Sequence, residues 1–181
     1  MAERTWPDRT AYLSAGDPMT CAELVVARES LGLTAGWIAK TAAVNARNER
    51  RWEAGDAKIP AEVQAIIDTL EEITAVAVTH LADRLRYLTD RGIILLRTDA
   101  DYQAAAPSGI ALPARWHHHV AARAAQTHPG TLLAFQGERG WRGNWLRTIV
   151  SVHDLGTGLD EATYTTIRTT SPDPEEQGTP C

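Results

Sequence analysis

The 181 residues are 44% apolar and carry a net charge of −5 with a pI near 5.7. That is enough apolar content for one or two small cores, and it gives no general attraction for a polyanion. The two cysteines, Cys21 and Cys181, show no metal-ligand spacing, and no apolar run reaches membrane length, which argues against a disulfide framework, a zinc ribbon or a membrane span and leads to the expectation of a reduced, cytoplasmic chain.

Charge is unevenly distributed. Residues 19–59 sum to +1, residues 60–90 to −4, residues 91–147 to +4 and residues 148–181 to −5. Two positive blocks are separated by a negative one, and the end is acidic.

In chain order, residues 1–18 hold Pro7, Gly16 and Pro18 and lack the apolar stretch of a signal peptide, so a disordered extension is expected. Thr20-Cys21-Ala22-Glu23 is a capping box, in which hydroxyl and carboxylate each satisfy an amide that the helix leaves orphaned. A helix to about Leu31 follows, with Leu24, Ala27, Arg28 and Leu31 on one face and Gly32 as its stop. Thr34 caps a second helix to about Ala42, with Trp37, Ile38 and Ala42 turned inward. Asn45 caps a third, which Gly55 terminates.

The third helix draws most interest. At 100° per residue, Arg47, Arg50 and Arg51 share one face and Trp52 points the other way. A short helix with one bulky anchor and an arginine-bearing outer face suits a DNA major groove. A solvated surface helix that happens to be rich in arginine is the plainer alternative.

Pro60 opens a long helix to about residue 88. Val63, Ile66, Ile67, Leu70, Ile73, Val76, Ala77, Leu81, Leu85 and Leu88 keep an apolar stripe along it. Such a stripe in residues 60–88 serves either as a coiled-coil homodimer seam or as a surface that docks on the chain itself. From Gly92 the period changes. Residues 93–96, 131–135 and 145–152 read as strands, with residues 162–170 as an edge strand beside the last. Residues 99–106, capped by Thr98 or Asp99, and residues 113–127 read as helices. The expected organisation is therefore an α+β unit over 91–170 and an acidic disordered tail over 171–181.

Two further patterns bear on chemistry. Arg139, Arg142 and Arg147 alternate with Trp141, Trp145 and glycines, and with Arg115 they make up much of the +4 block. This is a candidate second DNA contact; the alternatives are a Gly-rich hairpin loop whose tryptophans pack on the sheet, and a ligand-sensing or dimerising domain. His117-His118-His119 cannot all reach one ion, because consecutive helical side chains diverge by 100°. No metal or other cofactor is expected. No paired carboxylates, nucleophile–base pair or phosphate loop stands out, so an enzyme is not expected either.

Residues 19–55 resemble the phage-repressor-type (Xre-like) helix-turn-helix family. The resemblance rests on Leu33-Thr34-Ala35-Gly36-Trp37-Ile38-Ala39, on Ala43-Val44-Asn45 and on Arg51-Trp52-Glu53-Ala54-Gly55. The wider run from Met19 to Leu70, with Pro60 after the turn, resembles a group of bacterial and phage proteins that carry an added C-terminal domain. Arg97-Thr98-Asp99-Ala100-Asp101-Tyr102 and Leu112-Pro113-Ala114-Arg115-Trp116-His117 resemble that group more loosely.

The resemblance implies a mainly α N-terminal helix-turn-helix domain over 19–59, a long linking helix over 60–90 and a small α+β C-terminal domain. It implies sequence-specific binding of double-stranded DNA, as a transcriptional regulator or phage-type repressor. Carried over residue by residue, Ala46, Arg47, Arg50 and Arg51 would meet base edges, while Thr34, Ala35, Asn45, Asn48 and Lys58 would meet phosphates. Trp52 would be core, and Glu53 would face an arginine or a backbone amide. Three residues depart from the pattern: Gly36 replaces alanine, Ala43 replaces the turn glycine, and Glu49 replaces an inward apolar residue. A buried carboxylate is costly, so Glu49 is expected to pair with Arg28 or to lie at the domain edge. Glu49 and the net acidity favour the alternative, an antitoxin-like or scaffold module with weakened DNA contact.

Overall fold

The first three helices are each closed at both ends by local chemistry. In the computed structural model, which describes residues 18–105 and 112–138, they are α1 (Cys21–Ser30), α2 (Ala35–Thr41) and α3 (Ala46–Glu53). Thr20 and Glu23 form the reciprocal capping box of α1. Trp37 N–H donates to the Thr34 hydroxyl at 3.1 Å, and Arg47 N–H donates to Asn45 Oδ1 at 2.8 Å. The C-termini repeat one motif three times. Leu33 N–H donates to Arg28 O at 3.0 Å, Val44 N–H to Ala39 O at 2.8 Å and Asp56 N–H to Arg51 O at 2.8 Å, each enclosing a second bond from the preceding residue's N–H to the carbonyl three residues before it. This Schellman arrangement needs a left-handed residue after the cap.

Gly32 and Gly55 supply that residue with φ of 69° and 76°, and Ala43 takes it at 52°. A Cβ in that region costs about 1–2 kcal/mol. The structure therefore places strain in the turn before α3, as the replaced turn glycine led one to expect. Ala43→Gly should raise stability by about 1 kcal/mol, the relief of strain being partly offset by glycine's freer unfolded chain. A higher urea midpoint would register this; an unchanged or lower one would remove the strain argument.

The long helix, α4 (Ala61–Leu85), packs against α1 and against a later helix, α6 (Ala114–Gln126). Val63, Ile66, Ile67, Leu70, Ile73, Ala77, Leu81 and Leu85 are all buried within the chain. The expected stripe is present, and it is covered by the protein itself. A coiled-coil homodimer on that stripe would first have to strip away this packing. The buried cluster is continuous from Met19 to Ala124, with no break at the expected boundary between residues 59 and 60. The helix ends at Leu85, about one turn short of residue 88. Arg91 Nε donates to the Leu85 carbonyl at 3.2 Å, which satisfies one of the acceptors left at that end.

Beyond it lie β1 (Gly92–Leu95), α5 (Asp99–Ala105), α6 and β2 (Leu132–Phe135). The two strands pair in parallel, with Gly92 opposite Leu132 and Leu95 opposite Phe135. Parallel strands need a long crossover, and α5 and α6 provide it. Thr98 caps α5 by accepting from Asp101 N–H at 3.1 Å. Pro113 precedes α6 and offers no side-chain cap, so Asp99 reaches across to accept from Ala114 N–H at 2.8 Å. Trp116, fully buried, donates its indole N–H to the Thr74 hydroxyl at 2.8 Å, and that hydroxyl donates to Leu70 O at 2.6 Å. A polar link thus joins α6 to α4 inside an apolar core without leaving a polar group unsatisfied.

The described residues form a mainly helical structure of six helices and two short parallel strands. The expected strands at 145–152 and 162–170, most of the N-terminal extension and the acidic tail lie outside them. Among the described residues no helix is long and apolar enough to cross a membrane.

Candidate nucleic-acid interface

α3 is an eight-residue helix with two unlike faces. Trp52, 5% exposed, and Glu49, 1% exposed, turn inward. Ala46, Arg47, Asn48, Arg50 and Arg51 are all exposed, as is the cap residue Asn45. The burial pattern follows the helical period, and Trp52 is the anchor, as expected. α3 packs against α1 and α2, which sets its outer face away from both. Thr34 and Ala35 stand at the start of α2, Thr34 exposed and Ala35 half-buried, and Lys58 is exposed in the segment after α3. Among the described residues Arg47 and Arg50 form no ion pair, and Arg51 reaches only the Asp56 carbonyl, at 3.5 Å. The arginines of this face thus carry no ion pair at contact distance among the described residues, and of them Arg50 alone acts on Glu49 through its charge.

The inner side holds three charged groups. Arg28, on α1, places Nε 2.7 Å from Glu53 Oε1 and donates from Nη1 to the Leu33 carbonyl at 2.9 Å. One guanidinium thus ties α1, the turn after it and α3 together. Glu53 faces an arginine, as expected. Glu49 does not take Arg28 as its hydrogen-bond partner: its Oε1 is buried with no partner, and its side-chain hydrogen bond is to Glu53, one turn along. Burial raises the Glu49 carboxyl from 4.5 to about 7, with the Glu53 charge and that hydrogen bond adding to the rise, while Arg28 and Arg50 pull the other way. Glu49 lies inside rather than at the domain edge, and the arginine expected beside it acts on it by charge while hydrogen-bonding to Glu53. Arg28 is committed to Glu53, and the chain resolves the conflict by letting two carboxyls share a hydrogen bond.

The second arginine group is only partly in view. Arg115 is exposed on α6, and its carbonyl lies under Gly32. Arg139, Arg142 and Arg147 lie outside the described residues.

The histidine run is divided among neighbours. His117 is buried and stacks on Tyr102 with centroids 5.4 Å apart. His118 Nε2 donates to Leu96 O at 2.7 Å, and His119 Nδ1 donates to Ser30 O at 3.1 Å. His128 Nε2 donates to Ala82 O at 2.9 Å. These rings fasten α6 and the residues after it to the residue following β1, to α1 and to α4. Among the described residues no three His, Cys, Asp or Glu side chains converge as metal ligands. Tyr102 is also deeply buried, and desolvation holds its phenol far above the usual range.

Sequence reasoning expected an arginine or an amide at Glu53 but did not name Arg28, and it did not find the fit at Gly32. A Cβ there would stand 2.7 Å from His119 Cδ2 and 2.8 Å from Arg115 O. Neither has a signal in local spacing beyond the presence of the residues. No family model matches this chain, and no curated protein matches it.

Proposed function

We propose that the chain binds double-stranded DNA by laying the outer face of α3 in the major groove, and that it acts as a sequence-specific transcriptional regulator of the repressor type. The observation that carries this reading is the division of α3: Trp52 and Glu49 buried, Arg47, Arg50 and Arg51 presented to solvent. Eight residues span about 12 Å, close to the width of the B-form major groove. Arg47 and Arg50 can each pair bidentately with guanine O6 and N7, and Arg51 lies toward the groove wall. Ala46 offers its methyl group to a thymine methyl. The phosphates fall to groups that keep a donor: the Thr34 hydroxyl hydrogen, the Ala35 amide at the start of α2, the Asn45 and Asn48 side-chain amides, and Lys58. These contacts set register, and the arginines read sequence.

Salt dependence tests the reading without knowledge of the operator. Four cations on the face, Arg47, Arg50, Arg51 and Lys58, should give log K against log salt a slope of about −3 to −4 on mixed duplex DNA. Absence of duplex binding at low salt would remove the DNA reading and leave a protein-interaction module as the better description.

A further inference from the structure

We propose that Glu49 and Glu53 form a proton-dependent latch that holds the arginine helix in its seat, firm when the two carboxyls share one proton and weaker when both are charged. The proposal rests on the DNA reading of α3 only for its biological meaning, as regulation of that same surface.

The geometry carries it. Glu49 is 1% exposed, and one of its oxygens has no partner. Glu53 follows at i+4 on the same face of α3, the spacing at which two helical side chains meet, so a proton on Glu49 can be shared with it. One guanidinium, Arg28, faces both carboxyls, but its Nε is engaged with Glu53 at 2.7 Å and its Nη1 with Leu33 O at 2.9 Å. Its remaining nitrogen, Nη2, lies 3.5 Å from the exposed Glu29. The other charged group facing Glu49 is Arg50, on its own helix. α2, packed along α3, contributes only Lys40, which is exposed. A buried carboxylate and a half-buried one facing one committed arginine leave a negative charge without a hydrogen-bond partner, and one proton removes that charge while adding a donor.

The direction in pH follows from linkage. The folded chain holds the Glu49 proton up to about pH 7, whereas the unfolded chain releases it near 4.5. Between those values the folded state binds more protons, so the stabilisation is complete below 4.5 and is lost as pH rises through about 7.

Amide hydrogen exchange of the free, full-length protein reads the latch directly. Protection of the α3 amides, corrected for intrinsic exchange and referenced to α4, should fall about tenfold between pH 6 and pH 8. In Glu49→Gln, whose amide can donate to Glu53 at any pH, it should stay flat. Glu49→Leu, which restores an apolar side chain at the position, should also be flat and serves if the glutamine variant folds poorly. Wild-type protection that does not change with pH, or that falls equally in the variants, overturns the latch. Because no DNA is present, these outcomes are independent of whether the arginine face binds a duplex.

Discussion

Arg47→Ala combined with Arg50→Ala is expected to erase discrimination between a selected duplex and a scrambled one, while leaving the fold untouched. Both side chains are exposed and make no ion pair among the described residues, so their removal should change stability by less than about 0.5 kcal/mol. On DNA the expectation is different. Each good bidentate arginine–guanine pair is worth about 1–3 kcal/mol, so the double variant should lose roughly 30- to 20,000-fold on the selected site. On scrambled DNA the loss should be far smaller, since only two phosphate-attracting charges are gone. Lys58→Ala makes the contrast: a modest loss of similar size on every sequence. Electrophoretic shifts across both duplexes measure this. Equal losses of the double variant on both would remove the base-reading role from these arginines.

The second large effect concerns Arg28. Its side chain is 12% exposed and that of the Glu53 it grips is 24% exposed, so the pair is mostly sheltered from water. Arg28→Met keeps the apolar stem along α1 but leaves Glu49 and Glu53 without the compensating charge. Removing one partner of a sheltered pair costs several kcal/mol because the other is left uncompensated. The expected loss is about 2–4 kcal/mol at pH 8, and less at pH 5, where the Glu49 carboxyl holds its proton. Urea midpoints at the two pH values, with Glu53→Gln completing a double-mutant cycle, give the coupling. A coupling under about 0.5 kcal/mol would mean that the pair behaves as an ordinary surface ion pair.

These two residues also mark what could be read from sequence and what could not. The helix ends were readable because their chemistry acts over three or four residues. Thr20, Thr34 and Asn45 cap where expected, and Gly32 and Gly55 end their helices. The strain at Ala43 was readable for the same reason, since the turn itself demands a left-handed residue. Glu49 was visible as a charge on an apolar face, yet its partner was not. Whether Arg28 goes to Glu49 or Glu53 depends on the placement of α1 against α3, which spacing does not encode. The α4 stripe was likewise plain, but an apolar stripe says nothing about what covers it. Here α1 and α6 are packed on it. The histidines show the same limit: His118, His119 and His128 are each placed by the carbonyl they meet, just after β1, on α1 or on α4, all distant in sequence.

The central claim is that the outer face of α3 reads DNA sequence. Selection of bound duplexes from a random pool tests it most directly, run in parallel with wild type and the Arg47→Ala, Arg50→Ala double variant. The expected result is a guanine-containing motif enriched by wild type and lost in the variant, with both proteins folded. Wild-type protein that recovers a pool no different from the input, or a motif that survives unchanged in the variant, would contradict it.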